Sequence, residues 1–290
     1  MLDYPFINNC GKIIDAGYMS YVHGVKPGSS YIWAGERTSH TNDLWVMDGT
    51  PKYRRELLPG YKERRYAKRA KDPKIQAKHE RVKRFRADLI DDPEIATPIL
   101  HDHEADDLLS LIHLYLWHRK TPKPIVAVDK DLYQLPGIEL YMLDHRGNRR
   151  PASKAFKVPK YMGSIPLKPW AFLLIQALTG DKSDGIPRLL SSNGSLAKRW
   201  FLHNISWFHP IESFHRAHDR FGSDFHRNLL LLLMPGPFLR TDYTELAGSI
   251  ERVVLLIVSS GYWLFPGQWD TTILDNLQEI NRAWKEEGGW

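Results

Sequence analysis

The sequence predicts an α/β protein: a central, mostly parallel sheet flanked by helices, with a basic helical excursion over it and a helical C-terminal region. Three observations predict it. Short apolar runs each end in an aspartate, at Lys12-Ile-Ile-Asp15, Leu44-Trp-Val-Met-Asp48 and Pro124-Ile-Val-Ala-Val-Asp129. Continuous β-branched runs of this length suit strands buried on both faces. The strands alternate with helical patterns, as a parallel sheet requires. The positive charge is gathered into one block, Lys52 to Arg86, which holds 15 Lys/Arg against 4 Asp/Glu and leaves 25 basic and 30 acidic residues for the rest.

Taken in order, Asp15, Asp48 and Asp129 close three strands and fall at their carboxyl ends, where ligands of such sheets bind. One such Asp is ordinarily a helix cap; three on one edge are harder to explain that way. From Tyr61 the basic block is rich in helix formers and poor in large apolar residues, so it reads as helices lying over the sheet. Pro93 and Pro98 bracket the chain's return. A fourth candidate strand, Ile99-Leu-His101, runs into Asp102-His-Glu-Ala-Asp-Asp. From there Leu108, Leu111, Ile112, Tyr115 and Leu116 keep helical spacing. His145 to Lys160 reads as a loop or short hairpin. Pro166 and Pro169 precede a helix, Trp170 to Leu178, that stops at Gly180. The chain then stays helical and aromatic-rich to about Leu233, where Pro235-Gly-Pro237 breaks it. Ser249 to Ser259 fits either a helix or a strand.

Of the 290 residues, 42% are apolar and 26% charged, an ordinary globular composition, and the net charge is +6. The longest apolar runs, such as Leu229–Met234, are far short of the ~18 residues a membrane span needs, and the N-terminus lacks a secretory pattern. Cys10 is the only cysteine, which excludes an internal disulfide and a multi-Cys zinc or iron–sulfur site and implies a reducing, cytoplasmic setting. His101 and His103 form an HxH pair without a supporting Cys. No phosphate-cradling or dinucleotide-binding glycine motif occurs.

Four acidic clusters follow one another: Asp15 and Asp48; Glu104, Asp106 and Asp107; Asp129 and Asp131; and Asp181 and Asp184, where a new helix could begin. Glu104 and Asp107 share one helix face. So many carboxylates on one edge repel one another unless cations sit between them. Hard oxygen ligands select Mg²⁺ or Mn²⁺. Two such ions about 4 Å apart clamp the attacking and leaving oxygens of a displacement at phosphorus. The single-sign basic block is the complement of a phosphate backbone. Together these predict a phosphodiesterase acting on nucleic acid.

These residues resemble the 5′-nucleases, comprising flap endonucleases and 5′–3′ exonucleases, including freestanding bacteriophage enzymes. The likeness is carried by Ile13-Ile-Asp15-Ala-Gly-Tyr, by Met47-Asp48-Gly49, and by Tyr61-Lys62-Glu-Arg-Arg65 at the base of the helical arch. It continues through Glu104-Ala-Asp106-Asp107, Asp129-Lys-Asp131 and Gly180-Asp181-Lys-Ser-Asp184-Gly-Ile-Pro. It is dense from about residue 11 to 187 and thins afterward. Gly185 stands where the family has Asn. The Gly-rich hairpin that holds potassium in the family would fall on Arg188 to Lys198, but only Gly194 and Lys198 match it. A specific K⁺ site is therefore not expected.

The resemblance implies a PIN-like catalytic domain over 1–178, including a basic arch at about 50–95, and a helical, helix–turn–helix-like DNA-binding region over 179–290. Asp15, Asp48, Glu104, Asp106 and Asp107 would hold a first metal ion. Asp129, Asp131, Asp181 and Asp184 would hold a second, with Asp129 between the two. Lys62 and Arg65 would stabilise charge on the scissile phosphate. Tyr61 would either stack on an unpaired base or pack the arch on the sheet. Arg54, Arg55, Lys68, Arg69, Arg188, Lys198 and Arg199 would contact DNA. The implied partner is DNA with a 5′ flap, nick or free 5′ end, or an RNA–DNA hybrid, bound by a monomer with no membrane association, in the cytoplasm (the host's, if the protein is viral). Two other readings stay open: a catalytically inactive structure-specific DNA-binding protein and a PIN-like ribonuclease.

Overall fold

The structure is a computed structural model that describes residues 5–25, 43–92, 97–135, 137–143, 149–151, 169–190, 200, 203–204, 209–237 and 243–258. After a short helix α1 (Pro5–Asn8), β1 (Ile13–Asp15) leads directly into α2 (Ala16–Val25), and β2 (Leu44–Val46) follows. The basic block forms α3 (Lys52–Leu57), α4 (Glu63–Lys71) and α5 (Pro73–Asp91), and α6 spans Ala105–His118. Next come β3 (Ile125–Val126), a 3₁₀ turn (Asp131–Gln134), β4 (Leu140–Leu143) and β5 (Arg149–Pro151). The C-terminal helices are α7 (Pro169–Thr179), α8 (Pro210–Leu232), α9 (Tyr243–Gly248) and α10 (Ile250–Val258).

The sheet order is β2-β1-β3-β4-β5; the first four strands are parallel and β5 is antiparallel to β4. The α/β expectation therefore holds. Ile13 pairs with both Leu44 and Ile125, and these three face the larger core with α6, α7 and α8. Ile14, Trp45 and Val126 point the other way, into a second cluster with Met19 of α2 and Leu89 and Ile90 of α5. Side chains alternate across a strand, so helices on both faces demand apolar residues at every position. That is why these runs show no alternation.

The expected strand at Ile99 shrinks to one parallel bridge with Met47, whose N–H donates to the Pro98 carbonyl at 3.0 Å. Pro98 has no N–H of its own to extend the ladder, and the chain turns at His101 toward α6. Strands β2 and β3 stop short of Asp48 and Asp129, which stand just beyond the hydrogen-bonded edge. The segment after Gly180 does not start a helix: Asp181 and Ile186 close a tight loop by an antiparallel bridge. The ambiguous apolar stretch is helix α10, with Val253, Val254 and Ile257 buried on one side. The tail of the basic block is anchored, because Leu89 and Ile90 of α5 are buried and Phe85 packs 6.4 Å from Trp45, ring centre to centre.

Candidate active site

The three strand-end aspartates meet the N-terminus of α6 and the 181–186 loop around one cleft of about 1010 Å³, roofed by α4 and α5. Asp15 caps α2, accepting the Tyr18 N–H at 3.0 Å. Asp48 is held through Oδ1 by the Ala105 N–H at 3.1 Å, and its Oδ2 accepts from Arg86 Nη2 of α5 at 2.7 Å. Asp129 accepts the Asp131 N–H at 2.7 Å. Asp106 lies among the acids of all three strand ends, and Glu104 is the N-cap of α6.

Electrostatics divide these acids into two sets. Burial and the neighbouring charge of Asp48 push Asp15 up to about 7. Burial and Asp131 push Asp129 up to about 7 as well. Asp106 is raised well above the usual carboxylate range by burial and by Asp129, Asp15, Glu104 and Asp48. In these three, burial and like charge outweigh the groups that oppose them. Others are compensated. Burial would raise Asp48, but Arg86, the Ala105 N–H and Lys62 hold it below its ordinary value. Burial is likewise outweighed at Asp181, which Lys130 and Ser183 bring down to about 2.

The compensating cations are protein groups. Lys62 pairs with Glu104 and, at 3.9 Å, with Asp184. Arg65 donates to Asp184 at 2.6 Å. Lys130 bridges Asp131 at 2.7 Å and Asp181 at 2.9 Å. Sequence reasoning missed both Lys130 and Arg86. Lys130 is the middle residue of Asp-Lys-Asp, whose position between two acids was the only available signal. Arg86 was one of 15 similar cations.

The arch and the acidic loop are joined at their bases. Lys62 has φ 58°, and its N–H donates to the Asp184 carbonyl at 2.8 Å. Gly185 has φ 79°, and a Cβ there would stand 2.9 Å from the Gly60 carbonyl oxygen. Glycine satisfies both the left-handed backbone and the close approach. This accounts for a glycine at position 185.

Two expectations are corrected, and one left open is narrowed. Arg54 is not a DNA contact: it is 0% exposed, its Nη2 donates to Asp107 at 2.7 Å and its Nε to the Leu231 carbonyl at 3.1 Å. Asp107 is not free to ligate a metal, because Arg54, the Gly236 N–H (2.7 Å) and the Glu104 N–H (3.3 Å) occupy its oxygens. Of the two readings of Tyr61, its burial fits packing of the arch and not a ring presented to a base; its hydroxyl donates to Glu104 at 2.8 Å. The most exposed tyrosine ring lining the cleft is Tyr66, 39% exposed, with the Arg55 and Arg69 guanidinium groups 5.3 and 5.8 Å from its centre. Lys62, Arg65 and Arg69 line the cleft, and Arg55, Lys68 and Arg188 are exposed. Arg188 Nε donates to the Thr179 carbonyl at 3.2 Å. Lys198, Arg199 and most of the stretch expected to lack a potassium site lie outside the described residues.

As they stand, no three His, Cys, Asp or Glu side chains among the described residues are gathered around a single point that could hold a metal ion. The donors nevertheless fit a hard divalent cation. They are carboxylate oxygens throughout, and Asp15, Asp106 and Asp129 stay raised by burial and by one another's charge. Gly17 keeps the space between two of the donors open, since a Cβ there would lie 3.0 Å from Asp15 Oδ1 and 3.1 Å from Asp48 Oδ2. His103 packs its ring on Tyr53, and burial lowers its pKa, which suits a packing group. Burial pushes the Cys10 thiol up to about 11, an unreactive value.

No protein-family model matches the chain, and no curated protein matches it. Solved structures do. It is similar to the D15 protein of bacteriophage T5 co-crystallised with metal ions, at 16% identity and a TM-score of 0.57, over 86% of this chain and 99% of that one. It is similar to T5 5′-exonuclease with bound divalent zinc, at 15% identity and a TM-score of 0.57, over 93% and 98%. It is also similar to the T5 D15 flap endonuclease in a complex with DNA and metal ions, at 16% identity and a TM-score of 0.57, over 93% and 98%. The likeness is one of fold and runs through almost the whole of each chain.

Proposed function

We propose that this chain, built on the fold of the T5 5′-exonuclease, is a divalent-metal-dependent nuclease that hydrolyses DNA phosphodiesters near 5′ ends and junctions. The observation that carries the reading is the convergence of Asp15, Asp48, Asp106 and Asp129 on one cleft roofed by cationic helices. Carboxylates alone repel a phosphodiester, and ammonium and guanidinium groups alone do not activate water. Their combination suits metal-assisted phosphoryl transfer. The T5 structures that share the fold hold metal ions, divalent zinc in one case and DNA as well in another.

Asp15, Asp48, Glu104 and Asp106 would hold one Mg²⁺ or Mn²⁺, and Asp129, Asp131, Asp181 and Asp184 a second. When bound, such ions supply Lewis-acid polarisation of the phosphate and activation of water. The protein's own groups do the rest. Lys62 and Arg65, paired at the arch base with Glu104 and Asp184, would supply cationic donors to the phosphate and stabilise charge that builds on its oxygens. The Ala105 N–H fixes the Asp48 carboxylate through Oδ1. Arg55, Lys68, Arg69 and Arg188 contact the DNA backbone, which positions the substrate without reading its sequence.

The test is a panel of 5′-labelled flap, nicked, single-stranded and RNA–DNA hybrid substrates with Mg²⁺ or with excess EDTA. Cleavage that requires Mg²⁺ and is abolished by Asp48→Asn or Glu104→Gln, with DNA binding retained, is expected. Undiminished turnover in EDTA overturns the reading.

A further inference from the structure

We infer that Arg86 is an exchangeable cation: it neutralises Asp48 in the metal-free protein and moves to a DNA phosphate once a divalent ion takes Asp48. This rests on the proposed function and goes beyond it by assigning a coupling role to a residue of the arch.

The two partners differ in freedom. Asp48 is pinned, because its Oδ1 accepts the Ala105 N–H and its Oδ2 is left for other groups. The main chain at Arg86 is pinned too. Leu89 and Ile90, three and four residues on and so on the same helical face, are buried against α2, and Phe85 packs on Trp45. The guanidinium is what can move. It is 18% exposed, lines the cleft, and its buried Nε has no hydrogen-bond partner, so donors remain unspent. Its Nη2 lies 3.5 Å from a Cβ placed at Gly17, in the same gap that separates Asp15 from Asp48. Arg86 therefore stands beside the gap between the two carboxylates, yet its hydrogen bond reaches only Asp48.

A divalent ion in that gap carries more charge than a guanidinium and can serve both carboxylates. Two cations crowding one oxygen repel, so Arg86 loses its attraction to Asp48 as the ion binds. The nearest anion on offer to a guanidinium at the cleft wall is then a phosphate, which its planar donors suit. Metal and DNA affinity become linked through one side chain, and the linkage is reciprocal.

Two measurements test this with Ca²⁺ as the probe. In calorimetric titration of the full chain without DNA, Arg86→Gln should bind Ca²⁺ about fivefold tighter than wild type, since a half-buried competitor is gone. Arg86→Lys should stay near wild type. In saturating Ca²⁺, where Asp48 is compensated in both proteins, the salt dependence of 5′-flap DNA affinity should be shallower in Arg86→Gln by one phosphate contact, a slope change of about 0.9. Matched melting curves control for folding. Unchanged or weaker Ca²⁺ affinity, or equal salt slopes, overturns the exchange and leaves Arg86 a fixed scaffold ion pair. Wild type that binds Ca²⁺ and DNA while Arg86→Gln behaves identically refutes this inference alone. Wild type that binds neither refutes the nuclease reading with it.

Discussion

Replacing Arg54 by Met should destabilise this protein without weakening its binding to DNA. The guanidinium is fully buried, donates Nη2 to Asp107 at 2.7 Å and Nε to the Leu231 carbonyl, and so ties the N-terminus of α6 to the end of α8. Met fills much of the same volume, which keeps the cavity contribution small. Asp107 is left buried with only the Gly236 and Glu104 N–H groups as partners. Removing one member of a buried ion pair costs about 3–5 kcal/mol, against a total stability on the order of 5–15 kcal/mol. For a chain of this size that corresponds to a fall in melting midpoint on the order of 10 °C. Circular dichroism melts and urea titration of Arg54→Met, Asp107→Leu and the double variant form a thermodynamic cycle. The double variant should recover most of the loss, because no uncompensated charge remains. The salt slope for DNA should be that of wild type. A melting midpoint within a degree or two of wild type, together with a slope reduced by one contact, would refute the burial argument and return Arg54 to the DNA surface.

Three other outcomes follow from the same geometry. Gly17→Ala should weaken Ca²⁺ binding at least tenfold with little change in apo stability, because its methyl enters the gap between Asp15 and Asp48; calorimetry reads this directly, and unchanged affinity removes the gap from the metal site. In metal-free protein, the folded-state values of Asp15 and Asp129, about 7, lie above the ordinary value of 3.8. The folded state then binds more protons than the unfolded one between pH 4 and 7, so stability falls as pH rises through that window. Asp181, lowered to about 2, has the opposite sign and acts between pH 4 and 2, where its stabilisation is lost on acidification. Melting midpoints across pH should show the decline from 4 to 7, and Ca²⁺ should flatten it; a flat metal-free profile contradicts the clustering. Tyr61→Phe should lower stability by about 1 kcal/mol through the lost bond to Glu104 and leave flap-base preference unchanged, as assayed with abasic and normal flaps.

Much of the fold was legible because parallel strands covered on both faces must be apolar throughout, so the runs ending at Asp15, Asp48 and Asp129 stood out. The same holds for α6, where Leu108, Leu111 and Ile112 share one buried face, and for the stop of α7 at Gly180. The short β4 was not separable from its surroundings, and Ile99 kept one bridge where a strand was expected. Apolar content says that a segment is buried but not how many ladder partners it finds. The apolar stretch at Ile250–Val258 became a helix because α8 and α9 offered it a face rather than a strand edge.

The acids, their order along the chain and the single block of cations are properties of the primary structure. What each charge does depends on the fold. Arg54 and Arg55 are neighbours of identical type; one is fully buried against Asp107, 53 residues away, and the other is exposed beside Tyr66. Asp106 and Asp107 are likewise adjacent; one is raised among like charges, and the other is held down by a guanidinium. Helix geometry turns adjacent side chains by about 100°, so consecutive residues meet different surroundings. A charge is set by the groups that desolvate and pair it, and these come from distant parts of the chain.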